Sequence, residues 1–289
     1  MAGERHSQGR LGRFSRWNVL RIRRAIDAGQ LVLHCQPTVA CQTGELLAAE
    51  TLVRWQHPTR GLVPPGEWVP ALETTRLCGE FNLHVLALAT RHQDALAAAG
   101  VRIPLTVNVT PSCLANDDFC AAVVDLFGDR PVEDVRLEIT ERTTDINTEG
   151  LRSNIEELAR RGFHFLLDDF GSGYSSLVRL ANLPVGTLKI DGSLVSDITW
   201  RRAHALIVDT VIRLTHDLRQ DVVAEGVEDS GTWLLLQALG CDVIQGYQVA
   251  RPMPAEQFPA FVQAYRPAPP EIGERRRLDN RRRFDRRSV

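Results

Sequence analysis

From residue 31 to about residue 265, short apolar runs alternate with longer stretches in which apolar residues recur at helical spacing. The runs are Leu31–Val39, Leu46–Trp55, Leu105–Thr110, Val135–Thr140, His164–Asp168, Thr187–Ile190, Val222–Glu225 and Val243–Tyr247, each short enough to be a buried strand. Helices are predicted over 66–76, 80–99, 117–127, 149–161, 174–182, 202–218, 230–239 and 254–264. Thr148 and Asp229-Ser230 supply N-cap chemistry, and Gly100, Gly162 and Gly240 stand where helices should stop. The link Ala40-Cys41-Gln42-Thr43-Gly44 leaves no room for a helix, so the first two strands should be antiparallel. The later units read as parallel βα repeats. Together they predict an α/β fold: a closed (β/α)8 TIM-like barrel with an antiparallel first strand. An open doubly wound sheet is the alternative, but no G-x-G-x-x-G loop follows an early strand.

Composition adds bounds. The 289 residues are 44% hydrophobic, enough for one large domain. We expect a basic flexible N-terminus over 1–15, the barrel over 16–266, and an Arg-rich disordered tail over 267–289. No run approaches the ~20 apolar residues of a membrane span, and the polar, arginine-rich start lacks the apolar stretch of a secretory leader. A cytoplasmic protein is the expectation. The formal charge of −2 is uneven. Residues 1–24 carry seven arginines against Glu4, residues 271–289 eight arginines against four acids, and the body between them is acidic. Such a body should not bind nucleic acid through its main surface. The six cysteines show no zinc-site or CxxC spacing and read as buried thiols. The Asn108-Val109-Thr110 triplet lies in a strand-like run and precedes a proline, which argues against glycosylation.

Candidate chemistry appears when polar residues are placed on the strands. Glu50, Asn108, Glu138, Asp168, Asp169, Lys189, Glu225 and Gln245 fall inside or at the ends of seven successive strands. A bare carboxylate is costly to bury, so charges in such positions are paired or hold metal. In a (β/α)8 barrel the strand ends converge on one pocket. Five carboxylates there would repel one another unless cations intervene, and all-oxygen donors suit Mg2+ or Mn2+. The adjacent Asp168-Asp169 pair suits two ions and in-line displacement at phosphorus. Lys189 is the one lysine among 34 basic residues. A genome favouring arginine codons would leave such a residue by chance; alternatively the position needs a compact ammonium, which could orient water or neutralise developing charge. Burial there is expected to lower its pKa. Residues 50, 52 and 54 share a strand face, so Arg54 can clamp a substrate phosphate. Gly171-Ser172-Gly173, directly after the ligands, reads as a loop that moves with substrate or metal.

The motifs Gln36-Pro37, ETLVRW at 50–55, NVT at 108–110, LEITE at 137–141, DDFGSGYSSL at 168–177, LKID at 188–191, AEGVE at 224–228 and QGYQVARPMP at 245–254 occur in one order. In that combination the chain resembles the EAL-domain phosphodiesterases, which hydrolyse cyclic di-GMP to linear pGpG. The resemblance implies a barrel with a reversed first strand and metal ligation by Glu50, Asn108, Glu138, Asp168, Asp169 and Glu225. It implies catalytic roles for Lys189, Glu50 and Glu225, substrate contacts from Gln36 and Arg54, and support from Gln245. Glu141, with Glu228, resembles the brace of the flexible loop. A homodimer is implied by the resemblance alone, and regulation is expected from a second copy, a separate regulatory protein or the tails. Two positions depart from the family pattern: Thr51 replaces an alanine and points away from Glu50, and Arg76 replaces a glycine near a helix end. A nucleotide-binding module without activity would typically lack a metal carboxylate or the lysine, and this chain lacks neither. A phosphohydrolase built on His216-Asp217 has no further histidines at ligand spacing.

Overall fold

The computed structural model describes residues 18–73, 75–140, 148–173 and 183–270. The strands are β1 Leu31–Ala40, β2 Leu46–His57, β3 Gly61–Val63, β4 Leu105–Val109, β5 Val135–Thr140, β6 His164–Phe170, β7 Thr187–Ile190, β8 Asp221–Ala224, β9 Val243–Gln245 and β10 Met253–Pro254. The described helices are α1 Val19–Asp27, α2 Leu77–Ala98, α3 Pro111–Leu114, α4 Asp117–Phe127, α5 Thr148–Arg160, α6 Gly192–Val195, α7 Arg202–Asp217, α8 Ser230–Leu239 and α9 Phe258–Ala264. From β2 through β4, β5, β6, β7 and β8 to β9, each strand pairs in parallel with the next. β1 closes the ring by pairing antiparallel with both β2 and β9. The expected barrel with a reversed first strand is therefore present, while β3 and β10 extend it at β2 and β1.

Alternation within the strands sorts core from site. In β4, Leu105, Val107 and Val109 are buried apolar residues, and Thr106 and Asn108 occupy the opposite face. In β5, Val135, Leu137 and Ile139 alternate with Arg136, Glu138 and Thr140; in β7, Leu188 and Ile190 flank Lys189. The apolar set packs with helix residues such as Leu86 and Ala89 of α2 and Ile155 of α5 in one continuous core. The remaining set is left to fill the barrel interior. Burying one such apolar side chain contributes about 2 kcal/mol, repeated on every strand.

Differences from the sequence pattern have local causes. The helix expected over 66–76 is instead two 3-10 turns, Pro65–Glu67 and Val69–Ala71. Pro70 lacks an N–H and disfavours helical backbone at Val69, which stops an α-helix there. Arg76 then stands immediately before α2 with helical backbone and no side-chain cap. Helix α1 escaped the pattern because its arginines mask a narrow apolar stripe of Ile22 and Ala25; Asn18 caps it by accepting the Arg21 N–H at 2.9 Å. The predicted helix 174–182 lies outside the described residues. Among the described residues no helix is long and apolar enough to cross a membrane.

Strand β9 ends at Gln245 because Gly246 presses against backbone. A β-carbon there would lie 2.1 Å from the Val227 carbonyl oxygen and 2.4 Å from its nitrogen. Since backbone rather than a movable side chain is in the way, Gly246→Ala should destabilise the fold by about 2 kcal/mol or more. The check is the urea midpoint of the variant against the parent chain.

Candidate active site

The barrel interior ends in a cavity of about 1290 Å3 lined by Gln36, Glu50, Asn108, Asp168, Asp169, Glu225, Glu228 and Gln245 among others. Their arrival follows from register. Gln36 of β1 is paired with Glu50 of β2, and Asn108 of β4 with Glu138 of β5. Thr140 of β5 is paired with Asp168 of β6. Asp168 and Asp169 both line the cavity although neighbours on a regular strand face opposite ways. Asp169 has φ 64°, and the β6–β7 register shifts between Leu167 and Phe170. This bulge turns two consecutive carboxylates to one side. At the end of β8, Gly226 has φ 67° and a β-carbon on it would meet the Gly192 Cα at 2.9 Å. The close approach of the two backbones fixes the turn that follows Glu225.

Beneath the cavity lies Lys189, 1% exposed. Its ammonium nitrogen is 2.6 Å from Glu225 Oε1, 2.8 Å from Glu138 Oε2, and 3.3 Å from both Glu50 Oε2 and Asp168 Oδ1. An ammonium has three protons to give, so four carboxylates exceed what it can satisfy. The shortfall falls on Asp168: its buried Oδ1 has no hydrogen-bond partner. Glu50 is the best served, accepting from Gln245 Nε2 at 2.7 Å and from Asn108 Nδ2 at 3.0 Å. Gln245 also donates to Gln36 Oε1 at 3.3 Å, and Gln36 donates to the Ala250 carbonyl at 3.3 Å.

Proton affinities reflect this imbalance. Burial opposes ionisation of Glu50, yet Lys189, Gln245 and Asn108 together hold its carboxyl below the usual range. Burial and the neighbouring Glu50 push Glu138 well up, and burial pushes Glu225 up to about 7 despite Lys189. The sequence-based expectation for Lys189 is corrected: burial does work against its charge, but Asp168, Glu138, Glu50 and Glu225 overcome it and raise the ammonium's pKa well above normal.

Arg54 is half-buried, and its Nη1 donates to the Val53 carbonyl at 2.9 Å rather than lining the cavity. Burial lowers its pKa, and the charge of Glu50 reaches it. Thr51 donates to the Thr106 carbonyl at 2.7 Å, tying β2 to β4. Glu141 lies outside the described residues. His216 pairs with Asp242 at 2.8 Å, and Asp242 also accepts the Val222 N–H, a structural clasp away from the cavity. Asn82 of α2 also lines the cavity and went unnoticed in the sequence; its signal is a carboxamide between Phe81 and Leu83 on a helix otherwise apolar at that face.

Among the described residues no three acidic, histidine or cysteine side chains already form a metal cage; the carboxylates close on Lys189 instead. The donor set nevertheless fits a hard divalent cation: oxygen atoms, surplus negative charge and an orphaned acceptor at Asp168.

The EAL domain family model matches residues 20–252. The chain belongs to the EAL domain family. An uncharacterised Mycobacterium tuberculosis protein is 35% identical over 254 residues, covering 86% of this chain and 41% of the relative. The Pseudomonas aeruginosa cyclic di-GMP phosphodiesterase RocR is 35% identical over 239 residues, 81% of this EAL chain and 60% of RocR. The chain thus spans less than two thirds of these relatives. Among solved structures, the MucR phosphodiesterase in complex with c-di-GMP aligns at TM-score 0.76 and 34% identity, covering 83% of this chain and 98% of that one.

Removing the ammonium from this EAL site leaves the buried Glu50, Glu138 and Asp168 and the partly buried Glu225 facing one another. Lys189→Ala should therefore cost about 3–5 kcal/mol of stability in the presence of a chelator. Mg2+ or Mn2+ should recover part of the loss, read as a rise in the variant's urea midpoint when the chelator is replaced by the cation.

Proposed function

We propose that this EAL domain is a divalent-cation-dependent phosphodiesterase that hydrolyses cyclic di-GMP to linear pGpG. The observation that carries the reading is the convergence of Glu50, Glu138, Asp168 and Glu225 on one buried ammonium at the floor of an open-mouthed cavity. Glu50, Asn108, Glu138, Asp168, Asp169 and Glu225 would hold Mg2+ or Mn2+, two ions in all. When bound, such ions supply a lowered water pKa and stabilisation of charge on phosphoryl oxygens.

The chain's own residues do the rest. Lys189, held by four carboxylates, is a proton donor: it orients water and opposes the charge that grows on the phosphoryl oxygen. Glu50 or Glu225 accepts the proton that water gives up. Gln245 and Asn108 keep Glu50 ionised and fix its rotamer. Gln36 and Gln245 present carboxamides to the nucleotide from the cavity wall. Arg54, released from the Val53 carbonyl, offers a guanidinium to one of its phosphates. A homodimer and a separate regulatory protein are the partners that go with this reading, in a bacterial signalling role that lowers the second messenger.

Purified chain supplied with Mg2+ or Mn2+ should convert cyclic di-GMP to pGpG, followed by chromatography, and a chelator should stop it. Glu50→Ala should lower kcat by about 100-fold or more. Intact nucleotide that binds without turnover under every metal condition would mark a binding module and sink the proposal. Arg54→Ala should act mainly on KM, raising it by about tenfold with a smaller change in kcat, since a phosphate clamp serves ground state and transition state alike.

A further inference from the structure

Outside the acidic floor, two cysteines meet behind the cavity wall. Cys78 sits in the first turn of α2 and Cys113 on the short α3 that follows β4. Both are free thiols, and Cys113 Sγ donates to Cys78 Sγ at 3.3 Å. Neither lies next to a candidate metal ligand in sequence, and the proposed hydrolysis uses neither. We infer that Cys78 and Cys113 form a reversible dithiol–disulfide site whose oxidation by a hydroperoxide repositions the adjoining wall of the nucleotide cavity.

Three observations support it. First, approach: the sulfurs need to close from 3.3 Å to about 2.05 Å, the length of a disulfide bond. Second, reactivity: the hydrogen bond from Cys113 brings the Cys78 thiol down to about 7 against the effect of burial, and the same contact pushes Cys113 up. Sharing one hydrogen bond lets one sulfur of the pair ionise while the other stays protonated, the condition redox-active pairs need. Third, coupling: Asn82 Nδ2 donates to both buried sulfurs, and Asn82 lines the cavity together with Thr110 and Ser112, just before Cys113 in the chain.

The chemistry balances. The Cys78 thiolate attacks one oxygen of the hydroperoxide, giving a sulfenic acid and releasing an alcohol or water. Cys113 sulfur then displaces the sulfenic hydroxyl as water, forming the S–S bond. Two thiols are oxidised and one peroxide bond is reduced; two equivalents of a small thiol, or one dithiol, restore both cysteines by exchange and leave as a disulfide themselves.

The element that moves should be the lighter one. α2 is 22 residues long and anchored by ten buried side chains, whereas α3 has four residues. Drawing Cys113 inward pulls on Pro111 and Ser112, and through Thr110 on the end of β4. Asn82 is also disturbed. Its amide nitrogen is shared among the Cys78 carbonyl at 2.8 Å, Thr110 Oγ1 at 3.2 Å and the two sulfurs at 3.4 and 3.6 Å, while its oxygen accepts the Thr110 N–H at 3.0 Å.

The test uses the full chain treated with hydrogen peroxide. Alkylation and peptide mapping without reductant should find a Cys78–Cys113 linked peptide that dithiothreitol abolishes and that Cys78→Ser and Cys113→Ser both lose. This readout is independent of turnover, so it can fail without touching the proposed hydrolysis. The second arm measures cyclic di-GMP binding in Ca2+ by calorimetry before and after oxidation. A several-fold, reductant-reversible change in the parent chain, absent in Cys78→Ser, is expected. Thiols that stay alkylatable, a disulfide between other cysteines, or a Cys78–Cys113 bond that leaves affinity unchanged would each overturn the inference.

Discussion

Everything at the site end of the barrel depends on one ammonium that cannot satisfy its neighbours. Lys189 gives three protons to a group of four carboxylates, and the deficit is distributed unevenly: Glu50 is held ionised by the ammonium with two carboxamides, Glu138 and Glu225 cling to protons, and Asp168 keeps an unanswered oxygen. A neutral residue at this position would leave like charges in a low-dielectric interior, where repulsion and lost hydration both act against folding. A guanidinium would spread its charge over a plane too wide to be reached from four strands at once. The compact lysine therefore holds four strand ends together, and the proposed hydrolysis draws on the same ammonium.

The barrel supplies the frame in which that arrangement is affordable. The strands send their apolar residues outward to the helices and polar residues such as Asn108, Glu138 and Lys189 to the opposite face, so the acidic ring costs the core little. Two backbone irregularities complete it. The bulge at Asp169 gives one strand two inward carboxylates, and the contact of Gly226 with Gly192 turns the chain immediately after Glu225. Both are places where a regular strand would have carried the side chain away from the cavity.

Much of this was legible in the sequence because strand period and chemistry coincide there. Glu138 between Leu137 and Ile139, and Lys189 between Leu188 and Ile190, announce themselves as charged residues in runs otherwise apolar. The reversed first strand followed from a five-residue link. What stayed hidden was set by tertiary contact. The sign of the Lys189 shift depends on four distances that no spacing reveals. The turn of the Arg54 guanidinium onto its own strand is a rotamer, to which alternation is blind. Helix α1 hides its stripe among arginines, and Pro70 broke a helix that hydrophobic period alone would have extended. Asn82 and the Cys78–Cys113 contact unite residues 28 to 35 positions apart, across elements whose packing angle the sequence does not state.

The reversal of β1 has a consequence for how the chain enters the domain. Leu31 pairs with Trp55, beyond the level of Glu50, while Ala40 lies at the opposite end beside Val243. In a barrel of eight parallel strands the first strand would begin at the sealed base, remote from chemistry. Here β1 begins at the rim, so helix α1, which leads into it, stands at the cavity end of the barrel. A displacement of α1 would therefore act on the open end of β1, the strand that carries Gln36 opposite Glu50.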